Sequence, residues 1–172
     1  MKIIVTKNYD EMSKAAADIM AEVIKANPEC VLGLATGDTP IGMYNELVAK
    51  YEAGEIDFAA VRSVNLDEYY PITPDNDQSY RYFMDKHLFD RVNINKANTS
   101  VPDGTAKDVS KFCREYEAKI DALGGTDVQV LGIGRNGHIG FNEPDAELER
   151  FTHLVELTPD TIEANSRFFA SE

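Results

Sequence analysis

Two apolar runs, Cys30–Ala35 and Val128–Ile133, show none of the alternation expected of a strand with one wet face. A strand that is apolar on both faces needs cover on both, which parallel sheets obtain from the helices of their crossovers. The stretches between them carry the helical period. In Asp10–Asn27, Met12, Ala16, Ile19, Met20, Val23 and Ile24 recur three and four apart, with Asp10 as the expected cap and Pro28 as the stop. A second helix is expected from the Pro40 turn to about Glu52, a third from about Gln78 to Asp90, and a fourth from about Lys107 to Leu123, ended by Gly124-Gly125. Strands are expected at Lys2–Thr6, Val61–Leu66 and near Thr99–Val101 as well. Strands alternating with helices imply βαβ units joined by right-handed crossovers. The expected fold is therefore α/β, an open, mostly parallel Rossmann-like sheet with helices on both faces. No repeat, low-complexity tract or linker interrupts the pattern, so residues 1–172 are read as one domain.

Composition narrows the function by exclusion. Lys and Arg number 17 against 30 Asp and Glu, a formal net charge of −13. Such a surface repels nucleic acid and anionic membranes, both of which need a local cation excess. No stretch approaches the ~18 apolar residues of a spanning helix, and a second lysine interrupts the N-terminus before a secretory apolar core forms. Cys30 and Cys113 have no metal-type or redox-motif spacing and read as reduced thiols of a cytoplasmic protein. The expected partner is a small molecule, held by a chain free to form a homo-oligomer.

In open parallel sheets ligands bind beyond the carboxyl ends of the strands. Three loops leave such ends: Thr36–Pro40, Asp67–Tyr70 and Gly134–Pro144. In the first, Gly37 suits a tight turn, Thr39 an N-cap and Pro40 the first helical position. A helix starting there aims free N–H groups and its positive dipole end into the crevice, which suits a phosphate; any strand-to-helix turn, however, looks much the same, and Asp38 suits an anion only with its carboxylate turned away. In the second loop, Asp67 directly follows the strand and is the candidate base for moving a proton between carbons. Glu68 faces the other way, for capping or pairing, and stays among the substrate-binding candidates; a solvated acidic loop is the alternative in so acidic a chain.

The third loop, from Gly132 to Pro144, places four glycines in nine residues, then His138, Asn142, Glu143 and Pro144. A dinucleotide fingerprint fits it poorly, because no long helix follows the glycines. Histidine beside Asn136 and Glu143 at a strand end instead suits an acid/base group with orienting partners. His87 and His153 read as surface residues. Arg167, between polar and aromatic neighbours, suits either a phosphate clamp or a surface ion pair.

Together, Gly33-Leu34-Ala35-Thr36-Gly37 with Thr39-Pro40, Asn65-Leu66-Asp67-Glu68-Tyr69, Gly134 to Pro144 and Ala164-Asn165-Ser166-Arg167-Phe168-Phe169 resemble the glucosamine-6-phosphate deaminase family. This family lies within the wider glucosamine/galactosamine-6-phosphate isomerase and 6-phosphogluconolactonase superfamily. The resemblance implies D-glucosamine 6-phosphate and water as substrates, fructose 6-phosphate and ammonium as products, and no metal or organic cofactor. It implies catalytic roles for Asp67 (proton from C2 to C1) and for His138 (ring opening), with Asn136 and Glu143 orienting the histidine. The phosphate is expected on Thr36, Gly37, Asp38 and Thr39, with Gly137 beside the substrate and Arg167 closing over it. Some members carry Asp where Asn136 stands, and smaller residues often stand where Asp38 does. Members run roughly 70 residues further, so this chain is expected to lack C-terminal strands and helices. Two other readings are a 6-phosphogluconolactonase-like hydrolase, which needs no base at C2, and a non-catalytic sugar-phosphate sensor, which would want a basic DNA-binding segment.

Overall fold

The computed structural model describes residues 1–134 and 136–166. Helix α1 (Tyr9–Ala26) starts where the side chain of Asn8, rather than Asp10, accepts the N–H of Glu11 at 2.8 Å. It buries Ser13, Ala17, Met20, Ala21 and Ile24. The elements that follow are β1 (Val31–Leu34), α2 (Ile41–Glu52), β2 (Arg62–Asn65), α3 (Tyr80–His87), β3 (Thr99–Ser100), α4 (Val109–Ala122), β4 (Val128–Gln129) and α5 (Pro159–Ser166). The predicted helix Gln78–Asp90 is thus shorter at both ends. The side chain of Ser79 caps it, accepting from Tyr82 N, and Phe89–Arg91 continue as a tighter 3₁₀ turn.

All four strands are parallel, in the order β3-β2-β1-β4. Chain order runs outward from β1 through β2 to β3 and then returns to the other side of β1. With crossovers of one hand, that reversal sends α4, the helix between β3 and β4, to the opposite face. Leu32 and Leu34 of β1 pack in the core with Met20 and Ile24 of α1, Tyr44 and Leu47 of α2 and Met84 of α3. On the other face α4 lies against the sheet, where Tyr116 Oη donates to the carbonyls of Asn65 (2.8 Å) and Ser100 (3.1 Å). Every residue of β1 is buried, as its unbroken apolar run implies.

Two expected strands fare differently. Lys2–Thr6 joins no sheet, and Ile3 and Val5 are 73% and 89% exposed. A β-branched run has only a weak intrinsic preference, and it becomes a strand when a neighbour supplies the ladder. The run Val128–Ile133 pairs only at Val128 and Gln129, flanked by the bonds Asp127 N to Val31 O and Val130 N to Gly33 O, both 2.9 Å. Beyond them Leu131 and Ile133 are 48% and 79% exposed.

Candidate active site

The reversal of strand order separates the loop after β1 from the loop after β4, which is where an open parallel sheet forms its ligand crevice. At the end of β1 the fully buried Tyr44 accepts the Ala35 N–H and donates back to the Ala35 carbonyl at 2.5 Å, fixing the chain as it leaves the sheet. Gly37 then turns with φ +99°, a left-handed conformation that a side chain strains. Helix α2 is entered one residue later than the sequence suggests. Pro40 is its N-cap, with no side-chain bond, and Thr39 is exposed outside it. The capping work falls to Tyr9 at the start of α1: its hydroxyl bonds to the carbonyls of Asp38 (3.1 Å) and Thr39 (2.9 Å) and accepts the Gly42 N–H at 2.8 Å.

Asp67 and Glu68 turn in different directions. Both Glu68 oxygens serve the start of α3, accepting from Tyr69 N (2.9 Å), Tyr80 N (2.8 Å) and Arg81 N (3.0 Å). An anion at a helix start satisfies orphan N–H groups and meets the positive dipole end. Among the described residues no hydrogen bond reaches the Asp67 carboxyl. Burial, reinforced by the negative charge of Glu68, pushes it up to about 7. The loop carrying both is braced from behind: Ile72 N donates to Gly104 O at 2.9 Å. A Cβ on Gly104 would stand 2.6 Å from the carbonyl oxygens of Tyr69 and Ile72.

The loop after β4 is a tight turn closed by Gly134 N to His138 O (2.8 Å) and Gly137 N to Gly134 O (3.0 Å). The His138 ring lies so close over Gly134 that any Cβ there would overlap it. Asn136 Oδ1 accepts the His138 N–H at 3.1 Å, and Asn136 Nδ2 donates to Glu143 Oε2 at 2.6 Å. That same oxygen stands 3.6 Å from His138 Nδ1. The other Glu143 oxygen accepts from the hydroxyls of Thr158 (3.1 Å) and Thr161. These donors hold the Glu143 carboxyl down at about 2, led by the Thr161 hydroxyl. At neutral pH it is therefore a fixed negative charge beside the imidazole.

The loops meet at one place. A Cβ built on Gly140 would lie 3.4 Å from Asp67 Oδ2, so the chain two residues past His138 runs close beside the half-buried carboxyl. Phe141 stacks on Tyr80 (centroids 5.9 Å, 17°) and leans on Tyr69 (5.3 Å), while Tyr69 and Tyr80 lie 4.8 Å apart. Sequence reasoning missed Tyr80, Tyr9, Thr158 and Thr161. Only Thr158 had a legible signal, since Thr158-Pro159 repeats the helix-start pattern of Thr39-Pro40.

Arg167 lies outside the described residues. His87 is half-buried against Phe83, centroids 4.4 Å apart, and His153 is half-buried with Nδ1 2.8 Å from Phe151 O. Among the described residues no three His, Cys, Asp or Glu side chains cluster to hold a metal ion. Among the described residues no helix is long and apolar enough to cross a membrane. A cavity of about 490 Å³ adjoins Asp67 and Phe141 and runs beneath α4 past Cys113 and Tyr116 to Phe151 and Leu154.

A carboxyl poised near neutrality, set against a loop whose imidazole is backed by a permanent anion, suits proton transfer between neighbouring carbon and oxygen atoms. Placed at the switch point of a parallel sheet, it makes this an α/β enzyme by class. Comparison with known proteins makes the class specific. The chain belongs to the family described as glucosamine-6-phosphate isomerases/6-phosphogluconolactonase, whose model matches residues 6–159. It is 60% identical over 171 residues to glucosamine-6-phosphate deaminase of Clostridium perfringens (strain ATCC 13124), covering 99% of this chain and 71% of that one. The corresponding deaminase of Clostridioides difficile (strain 630) is 58% identical, with 69% of its length covered. Among solved structures, a monomeric glucosamine-6-phosphate deaminase superposes with a TM-score of 0.96 at 43% identity, over 99% of this chain and 71% of that one. A 6-phosphogluconolactonase of Thermotoga maritima shares the fold alone, at TM-score 0.67 and 21% identity over 80% of this chain and 62% of that one.

Proposed function

We propose that this protein isomerises and deaminates D-glucosamine 6-phosphate, giving fructose 6-phosphate and ammonium. The observation that carries the reading is that the His138 loop passes beside the Asp67 carboxyl at Gly140, where a side chain's Cβ would meet Asp67 Oδ2, with that carboxyl held near 7. His138 accepts the proton of the anomeric hydroxyl and returns one to the ring oxygen, opening the ring to the aldehyde. Glu143, ionised throughout, stabilises the imidazolium in between, and Asn136 orients both partners. Asp67 then removes the C2 proton as O1 takes up a proton, giving the enolamine, and delivers the proton to C1 as the nitrogen gives one up, leaving a C2 imine and a C1 hydroxymethyl group. Water adds to the imine and ammonia leaves, taken up as ammonium. A base with a pKa near the working pH is both deprotonated in good fraction and strong enough to take a carbon-bound proton. One carboxyl serving both carbons demands that the substrate be held at its far end. That is the part assigned to the loop of Thr36, Gly37, Asp38 and Thr39, with Gly137 and Arg167 as further contacts. We read the protein as cytoplasmic, in keeping with two free, buried cysteines.

The test is ammonium release from glucosamine 6-phosphate in deuterated water, followed by analysis of the fructose 6-phosphate. Deuterium at C1 is expected, because the carboxyl exchanges some of its proton with solvent. Hydrolysis of 6-phosphogluconolactone without ammonium release would refute the reading.

A further inference from the structure

The carboxylate of Glu143 joins two parts of the chain. Its Oε2 serves the loop after β4, accepting from Asn136 Nδ2 at 2.6 Å and standing 3.6 Å from His138 Nδ1. Its Oε1 serves the start of α5, accepting from the hydroxyls of Thr158 (3.1 Å) and Thr161, which lie 15 and 18 residues further on. The two threonines differ in what else they do. Thr158 begins the helix: its hydroxyl accepts the Thr161 N–H at 3.4 Å, and its carbonyl accepts the Ile162 N–H at 2.9 Å. Thr161 is 3% exposed, so its hydroxyl has no solvent to turn to. An ionised carboxylate can only accept, and the single proton of the Thr161 hydroxyl is therefore committed to Glu143.

We propose that Thr161 is a positioning residue for the reaction: by holding Glu143 Oε1 it sets the orientation in which Oε2 steadies the imidazolium of His138. The reaction it serves is that of the deaminase reading, on which the proposal rests, while the linkage itself is a property of the site. The physical reason is rotation. The last torsion of a glutamate side chain is broad and roughly two-fold, so nothing internal to Glu143 decides which oxygen faces the histidine. Anchoring Oε1 on α5 fixes the plane of the group and leaves Oε2 to the loop. The imidazole depends on that choice, because His138 Nδ1 is shut off from solvent and no hydrogen bond reaches it among the described residues. The segment between the two threonines and Glu143 has a second tether. Thr152 donates to Glu117 Oε1 on α4 through its N–H (2.5 Å) and its hydroxyl (2.6 Å), touching neither Glu143 nor His138. Holding the segment in place and aiming the carboxylate are thus separable.

Thr161→Val deletes the hydroxyl at nearly constant volume, Thr161→Ser keeps it, and Thr152→Val cuts the other tether while sparing Glu143. Ammonium release is measured for each, and for Thr161→Val combined with Glu143→Ala. Thr161→Val is expected to lose about fivefold in kcat with KM within about twofold, the typical worth of one hydrogen bond at a group acting on the imidazole rather than on the bound substrate. Thr161→Ser should keep most of the activity, and Thr152→Val should melt earlier with kcat nearly unchanged. In the Glu143→Ala background the valine should cost nothing further, because both changes act on the same charge. Nitrogen-15 NMR of the imidazole reads the linkage without turnover: Thr161→Val should move the His138 Nδ1 resonance toward its position in Glu143→Ala, and Thr161→Ser should leave it in place. Thermal melts establish that each variant is folded, and Thr161→Ala takes the place of a valine variant that is not. A serine variant as poor as the valine one, a loss that multiplies in the Glu143→Ala background, an equal kcat loss from Thr152→Val, or an unmoved Nδ1 resonance overturns the proposal. If the unaltered protein releases no ammonium, the deaminase reading fails, and the Nδ1 resonance alone decides the role of Thr161.

Discussion

Replacing Asp67 by Asn should make this protein more stable and nearly inactive. The carboxyl titrates at 3.8 when exposed and at about 7 in the fold, with no hydrogen bond among the described residues to offset its burial. Three pH units of displacement correspond to about 4 kcal/mol. The folded state holds the proton more tightly than the unfolded chain, so the penalty is absent below pH 3.8, grows as pH rises, and is complete above pH 7. An amide carries no charge at any of these values. The variant should therefore gain about 2 kcal/mol at pH 5 and about 4 kcal/mol at pH 8; the larger figure is a ceiling, because the crevice is open to water on one side. For a chain of this size that is a rise in Tm of roughly 10 °C at pH 8 and about half of that at pH 5. Urea titrations of both proteins at the two pH values, at equal ionic strength, measure the difference directly. Ammonium release should fall about 100-fold or more. A gain that does not grow with pH, or a variant less stable than its parent at pH 8, would show that the carboxyl is not desolvated as described.

Three other outcomes follow from the same geometry. Glu143→Gln should lose stability at neutral pH, because the native carboxyl is held down at about 2 against its ordinary 4.5; the deficit should vanish as pH falls from 4.5 through 2, in acid-unfolding curves of the two proteins. Its turnover should drop by about tenfold or more as the imidazolium loses its counter-charge. Tyr9→Phe should raise KM about fivefold with kcat nearly unchanged, since only the helix start that steadies the Asp38–Gly42 backbone is loosened. Finally, a chain of net charge −13 repels a phosphorylated substrate in solution, so kcat/KM should rise as salt is increased from about 20 to about 200 mM; a fall would place an unscreened cationic funnel at the entrance.

The architecture was legible because its strongest determinant is local. A run such as Cys30–Ala35 can only be buried on both faces, and the helical periods around it leave little choice but a parallel sheet with its loops at one end. Where expectation and structure part, pairing decides. Lys2–Thr6 has the composition of a strand and no ladder, and Leu131 to Ile133 have the hydrophobicity of a buried strand on an edge that ends at Gln129. The residues around the site divide similarly. Asp67 announces itself by following a strand almost directly, and Asn136, His138 and Glu143 by lying in or beside a glycine-rich loop. Tyr9, Tyr80 and Thr161 do not, because each acts from a helix start far along the chain, and only the fold brings a helix start to a strand tip.

Gly104 illustrates how far such support extends. It touches no reacting group, yet its missing side chain is what lets the loop around Tyr69 and Ile72 settle against its backbone. A methyl group there would push on two carbonyl oxygens as well as on the Ile72 side chain, and the displacement of the backbone would pass along two peptide units to Asp67. In a mutational survey scored by turnover alone, position 104 would look like a functional residue. Scored by binding of fructose 6-phosphate and by folded fraction, it would emerge as a constraint of shape, invariant for reasons that no inspection of the chemistry reveals.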